Sequence, residues 1–233
     1  VSIIFLIPSP LDEDATESIP PYVLDKIRTC TVIFAENERT ARRFLKKMDK
    51  AFPIDAYEWF SISKEHTDHE RDFVNKIREN KNIAIISEAG CPGIADPGQS
   101  LVMLAQNMHC EVIPLPGPIS LMMALMASGM NGQHFQFSGY LPIEAGARNK
   151  VIKELEAESA KKNSTQIFIE TPYRNNTLMD ALLTQCRHDT RLCVGVNITG
   201  PLQSIRTLTI QEWKKQKPDL HKQPAVFLLY AGH

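Results

Sequence analysis

The sequence has no phosphate-cradling loop. A dinucleotide fold places G-x-G-x-x-G after its first strand, but the residues after the apolar run Ser2 to Ile7 read Pro8-Ser9-Pro10-Leu11. A Walker lysine is missing too, so NAD, FAD and ATP are not expected. There is no excess of charge of either sign: 26 basic and 27 acidic residues leave a net charge of −1. That excludes the basic footprint of a protein that grips nucleic acid by bulk electrostatics, although a local basic patch is still allowed. None of the five cysteines forms a C-x-x-C pair, and their number is odd. Cys30, Cys91, Cys110, Cys186 and Cys193 therefore point to a reducing, cytoplasmic setting rather than a disulfide framework. The longest apolar run, Ile119 to Met130, is about a dozen residues, short of the ~20 that span a bilayer. The apolar start has too few residues for a signal peptide and no basic flank. The first residue is Val1 rather than Met, which suggests a processed start.

What is present is ordinary for a globular α/β protein: 233 residues, 43% apolar and 23% charged. That length suits one large domain or two of about 100–120 residues each. Ser2 to Ile7 reads as a buried strand ended by Pro8 and Pro10. Ser18 is a candidate N-cap for a helix running to about Arg28. Thr31 to Ala35 is a second strand, and a helix from about Glu38 to Met48 carries Arg42, Arg43, Lys46 and Lys47 outward. Ile54 to Phe60 is a short third strand. Lys64 to Asn80 is an amphipathic helix with Phe73, Val74 and Ile77 inward. Ile83 to Ser87 is a central strand, followed by a helix from Gln99 to Met108 and a strand around Val112 and Ile113. Alternating strands and helices over the first ~115 residues imply a mostly parallel sheet.

Beyond Pro118 the strand-like runs come closer together: Phe135 to Ser138, Gln166 to Glu170, Leu192 to Val196, Ile205 to Ile210 and Ala225 to Tyr230. Helices are expected over Ala147 to Lys161 and Asn175 to Cys186, and an exposed loop over Lys214 to Gln223. The fold class is α/β, with an N-terminal domain (1–117) and a C-terminal domain (118–233) whose sheet is mixed.

Two Pro/Gly breakers dominate the middle of the chain. Glu88 to Gly98 follows the central strand, and Pro114 to Ser120 follows the next. Loops at the C-terminal ends of buried strands are where an open α/β sheet binds ligands, because strand ends and helix N-termini leave backbone groups unpaired. Each breaker could equally be an ordinary strand–helix turn. Cys91, among small apolar neighbours, reads as a passive lining residue rather than a nucleophile. His66 and His69 share a helix face, but spacing fixes no third metal ligand, and the segment has the polarity of a solvated helix. No metal is expected. Arg174 could bind a carboxylate or phosphate, or hold its loop through Glu170. Glu36 and Arg39 pose the same choice. Met122, Met123, Met126 and Met130 read as adaptable packing.

The series Ser87-Glu88-Ala89-Gly90-Cys91-Pro92-Gly93-Ile94-Ala95-Asp96-Pro97-Gly98, Pro114-Leu115-Pro116-Gly117-Pro118 and Gly139-Tyr140-Leu141-Pro142 resembles the tetrapyrrole methylase superfamily. Within it, the series is most similar to the branch that methylates a cytidine ribose 2′-oxygen in small-subunit ribosomal RNA. Ala35 to Thr40 and Glu170 to Arg174 are similar to two further motifs of that branch. The resemblance covers nearly the whole chain in order.

It implies a methyltransferase that uses S-adenosyl-L-methionine, built of two α/β domains with the cofactor in the cleft between them, and a homodimer. By position, it implies cofactor contacts at Leu11, at Gly90, Cys91, Pro92, Gly93 and Ile94, and at Gly117, Pro118, Ile119 and Ser120. Further ones follow at Phe168 and Ile169, at Gly195, Val196 and Asn197, and at Ala225 and Val226. Candidates for a base or orienting group are Glu36, Asp96 and Glu170. Arg39 and Arg174 are candidate substrate contacts, and ribosomal RNA or the small ribosomal subunit is the implied partner.

The chain departs from the branch in three places. Asp12-Glu13-Asp14 lacks its Gly-Asn, Asn37-Glu38 loses an Asp, and Val196 to Gly200 loses an Arg, a Glu and a Lys. A tetrapyrrole-like small molecule or a protein is therefore an alternative acceptor, and a non-catalytic cofactor-binding relative is a further alternative. A basic surface from Arg42, Arg43, Lys46, Lys47 and Arg148 would favour RNA.

Overall fold

The computed structural model describes residues 2–62 and 68–232. The chain folds as two compact units, Val1–Ile119 and Ser120–His233.

The first unit carries five parallel strands: β1 (Ile3–Ile7), β2 (Val32–Ala35), β3 (Glu58–Ser61), β4 (Ile83–Ile86) and β5 (Glu111–Pro114), in the order β3-β2-β4-β1-β5. β2 and β4 are buried at every position, which is why their sequences show no alternation: both faces of the sheet are covered. Helices α1 (Tyr22–Arg28) and α2 (Glu38–Met48) pack Val23, Leu24, Ile27, Phe44 and Leu45 on the face formed by Phe5, Ile7, Ile33, Ala35, Ala84 and Ile86. Helices α3 (Asp68–Arg78) and α4 (Gln99–Asn107) cover the other face, placing Phe73, Ile77, Leu101 and Ala105 against Ile4, Val32, Phe34, Ile83 and Ile85.

The second unit has a mixed sheet of β6 (Phe135–Tyr140), β7 (Thr165–Ile169), β8 (Arg191–Val196), β9 (Ser204–Thr209) and β10 (Ala225–Tyr230), ordered β6-β7-β10-β8-β9. Only the β6–β7 pair is parallel. Its helices are α5 (Ser120–Ser128), α6 (Ala145–Lys162), α7 (Asn175–Gln185) and α8 (Ile210–Lys215). The core on one side joins Ile152, Phe168, Leu182, Trp213 and Phe227.

Three sequence expectations need correction. Ser18 caps no α-helix: Thr16–Ser18 form a short 3-10 turn, and α1 starts after Pro21, whose ring presets the helical φ. Ile54–Ala56 is also a 3-10 turn, so the third strand spans only Glu58–Ser61. Ile210 begins a helix instead of ending a strand. The segment after it, Lys214 to Gln223, is mostly exposed as expected, with α8 reaching Lys215 and Leu220 buried, while Trp213 just before it donates to the Leu192 carbonyl at 2.8 Å. The overlooked signal is Thr209-x-x-Glu212, a capping box in which each side chain satisfies the other's backbone N–H. Among the four methionines, Met126 is exposed.

Candidate functional site

Strand order in the first unit creates the crevice. β4 lies between β2 and β1. The chain leaves β1 and β2 for helices on one face, but leaves β4 for α4 on the other. Neighbouring strands that send their chain to opposite faces open a gap at their C-terminal ends, the usual ligand position in such sheets.

The loops there are tied together closely. Ser9 and Gly90 exchange backbone hydrogen bonds of 2.8 and 3.0 Å, and the Ser9 hydroxyl donates to the Ser87 carbonyl at 2.8 Å. Gly117 packs on Pro8 so tightly that a Cβ at Gly117 would lie 2.1 Å from the proline Cβ. The Cys91 Sγ is 3.8 Å from the Pro118 carbonyl oxygen. Thus Leu11, Gly90, Cys91, Gly117 and Pro118 come together, although they lie on three separate loops. Cys91 is the half-buried cysteine; the other four are buried. Burial, with a smaller contribution from the Asp96 charge, pushes the Cys91 thiol up. It therefore stays protonated and weakly nucleophilic.

The three candidate carboxylates share one role: each accepts a backbone N–H of a loop, Asp96 and Glu170 of their own and Glu36 of the loop after β4. Glu36 accepts from Glu88 N at 3.0 Å. Asp96 accepts from Gly93 N at 2.7 Å and Gly98 N at 3.0 Å. Glu170 accepts from Thr171 N at 2.7 Å, and its side chain, 1% exposed, pairs with Arg174 at 2.6 Å. Arg174 thus holds its loop through Glu170. Arg39 is exposed on the first turn of α2 and makes no ion pair among the described residues. Asn37, where the chain loses an Asp relative to the resembling branch, caps α2 through Thr40 N and also donates to Glu88 at 3.0 Å.

In the second unit the C-terminal ends of β7 and β8 meet the N-terminal end of β10. Val226 pairs with both Ile169 and Gly195, and Ala225 pairs with Val196. Asn197, in a left-handed conformation, donates from its backbone to the Pro224 carbonyl at 3.0 Å and from its side chain to Gln223 at 2.9 Å. Phe168, Ile169, Gly195, Val196, Asn197, Ala225 and Val226 are therefore together at one end of three neighbouring strands of one sheet.

The expected basic surface is engaged from within. Arg42 pairs with Glu38 at 2.8 Å and stacks on Trp59, Arg43 pairs with Glu13 at 2.9 Å, and Lys47 pairs with Asp14 at 2.8 Å. Lys46 donates to the Lys50 carbonyl. Arg148 is buried and donates to the Ile143 carbonyl at 2.9 Å. A cavity of about 190 Å³ lies beside this stripe, lined by Ser9, Leu11, Thr40, Arg43, Lys47 and Glu88 among others. Among the described residues no group of three or more His, Cys, Asp and Glu side chains could hold a metal. His66 lies outside the described residues, and His69 is buried. No described helix is long and apolar enough to cross a membrane.

The sequence model of the family described as Tetrapyrrole (Corrin/Porphyrin) Methylases matches residues 14–214. The chain belongs to this tetrapyrrole methylase family. Relatives of this family member include the ribosomal RNA small subunit methyltransferase I of Bacillus subtilis, 30% identical over 91% of the chain and 69% of the relative. The protein of the same name from Synechocystis is 29% identical over 85% and 68%. That from Escherichia coli O157:H7 is 27% identical over 99% and 78%. Among solved structures, the methyltransferase CobJ superposes with a TM-score of 0.64 at 15% identity, covering 98% of this chain and 93% of its own. Uroporphyrin-III C-methyl transferase from Thermus thermophilus, solved with S-adenosylhomocysteine, gives 0.59 at 12%, covering 99% and 97%. At these identities the two structures establish the fold of this methylase family member.

Proposed function

We propose that this protein transfers a methyl group from S-adenosylmethionine to a ribose 2′-oxygen of small-subunit ribosomal RNA, as a homodimer. The observation that carries the reading is the Gly/Pro loop set without a phosphate cradle at the sheet crevice of a chain whose relatives are small-subunit ribosomal RNA methyltransferases. The cofactor has no phosphate, and the loops offer backbone, Gly, Pro and aliphatic groups with no lysine cradle, so the residues fit it. When bound, the cofactor supplies an electrophilic methyl on a sulfonium. The protein's part is to align the acceptor with that methyl and to exclude water.

We assign cofactor binding to Leu11, Gly90 to Ile94 and Gly117 to Ile119 in the first unit. In the second we assign it to Ser120, Phe168, Ile169, Gly195 to Asn197, Ala225 and Val226. The raised Cys91 thiol suits a sulfonium donor, because a thiolate there would compete for the methyl. Of the three carboxylates, Glu36 is the one assigned to the acceptor's proton. It carries one hydrogen bond among the described residues, whereas Asp96 and Glu170 each hold two groups. Arg39, exposed and without an ion pair among the described residues, is assigned to substrate phosphate, and Arg174 to holding the loop that faces substrate.

A second reading, a small-molecule acceptor related to tetrapyrroles, is favoured by the internal pairing of the α2 cations. Calorimetry with S-adenosylmethionine and labelled-methyl transfer to small ribosomal subunits from a strain lacking the gene test both. Cofactor binding with incorporation into RNA is expected. Binding without incorporation would move the reading to the small-molecule acceptor, and no binding would remove both.

A further inference from the structure

The cavity beside α2 carries two cations that the chain itself neutralises. Arg43 and Lys47 stand one turn apart on one helix face and line the cavity with Ser9, Pro10 and Leu11. The loop that follows those residues supplies their counter-charges. Glu13 meets Arg43 at 2.9 Å. Lys47 takes the Asp14 carboxylate at 2.8 Å and the Glu13 carbonyl at 2.9 Å. The Lys47 hydrogen bond and charge hold the Asp14 carboxyl below its ordinary range. Asp12 does a different job: its carboxylate accepts from Asp14 N at 3.0 Å and its carbonyl from Ala15 N at 3.0 Å, which presents the next two acids to α2.

These pairs are wet. Glu13 is 58% exposed and Asp14 82%. Exposed pairs are weak and screened by salt, so another anion can replace them at little cost. The cavity they rim is also lined by Ser9, which is bonded to Gly90 at the crevice.

We propose that Arg43 and Lys47 form a phosphodiester-binding subsite for the RNA acceptor. In this proposal Glu13 and Asp14 are carboxylate stand-ins for two backbone phosphates, displaced when RNA enters. The inference rests on the RNA reading above. It makes the segment Asp12-Glu13-Asp14 a specificity element: a ligand without phosphates gains nothing by displacing it, whereas a strand with consecutive phosphates replaces two weak partners with two strong ones.

The test is the affinity of a fluorescent single-stranded RNA, by anisotropy, from 50 to 300 mM salt, for the wild type, E13Q/D14N and R43A/K47A. Thermal unfolding of each variant serves as the fold check. E13Q/D14N is expected to bind roughly threefold to tenfold tighter. R43A/K47A is expected to bind more weakly, with a salt slope shallower by about 1.4, since each phosphate contact to a single strand contributes about 0.7. R43K is expected to restore most of the affinity to the Arg43→Ala single variant. If wild type binds RNA and R43A/K47A matches it in affinity and slope, the subsite is wrong and the RNA reading stands. If neither wild type nor E13Q/D14N binds RNA at any salt, both fall. If E13Q/D14N binds no better than wild type, the stand-in role is overturned.

Discussion

The two units solve the same problem with different sheets. In the first, every strand is parallel and helices cover both faces, so β2 and β4 have no exposed position. Side chains cannot reach solvent from such strands, and polar groups gather on the loops at their ends. In the second, antiparallel pairing brings strand starts and strand ends to one edge, and β9 alternates partly exposed positions along its length. The first unit thus builds its crevice from loops held by glycine, proline and carboxylates. The second builds its edge from the strands themselves. Close packing in the first sets a glycine backbone against a rigid proline ring; in the second it involves a side chain that can move.

The largest effect should come from testing that contrast with a methyl group. G117A drives a Cβ to 2.1 Å from Pro8, a rigid ring on a pinned loop. It should destabilise the first unit by more than about 3 kcal/mol. In G195A the nearest atoms are the Ile198 Cδ1 at 3.1 Å, which can turn aside, and the Ala124 Cβ at 3.3 Å. It should cost about 1 kcal/mol. Urea unfolding of both variants reads the difference, and equal costs would erase the contrast.

The ion pairs differ in the opposite sense. Glu170 is buried against Arg174, whereas Glu13 faces Arg43 in water. E170Q should lower stability by about 2 kcal/mol, less than a wholly buried pair because Arg174 is one-third exposed. E13Q should leave the unfolding midpoint unchanged. A loss in E13Q as large as in E170Q would show that exposure does not set the cost.

The last effect concerns a thiol, is the smallest near neutral pH and grows only in alkali. Burial pushes Cys30 up to about 12 from an ordinary 9.0. The unfolded chain then loses its proton first. The contribution of Cys30 is complete below pH 9 and is lost as pH rises toward 12, by up to about 1.4 kcal/mol per pH unit. Cys186 and Cys193 in the second unit are also raised by burial, so both units should weaken in alkali. C30A should flatten the first unit's slope between pH 9 and 11, and an unchanged slope would mean that the thiol ionises freely in the folded state.

Much of the candidate site is legible in the sequence. Pro/Gly breakers after buried runs place the loops, and the motif series Ser87 to Gly98 and Pro114 to Pro118 carries the family. The pairing of the acids is not legible. Glu36 and Glu88 are 52 residues apart, and Asp14 and Lys47 are 33 apart. No periodicity encodes such partners. The α8 helix was legible in principle, since Thr209 and Glu212 form a local cap, but the lysines and prolines after it read more loudly.

By itself, the sequence determined which segments are strands, which are helices and where the chain breaks. These follow from local spacing of apolar residues and from the φ limits of proline and glycine. Tertiary structure alone decided that β4 inserts between β2 and β1, and so where the crevice opens. It also decided that Glu36, Asp96 and Glu170 hold loops and that Arg43 and Lys47 of α2 are quenched by the acids after β1. The reason is that strand order and long-range charge pairing depend on which surfaces meet, and that is settled only when the two faces of each sheet are buried together.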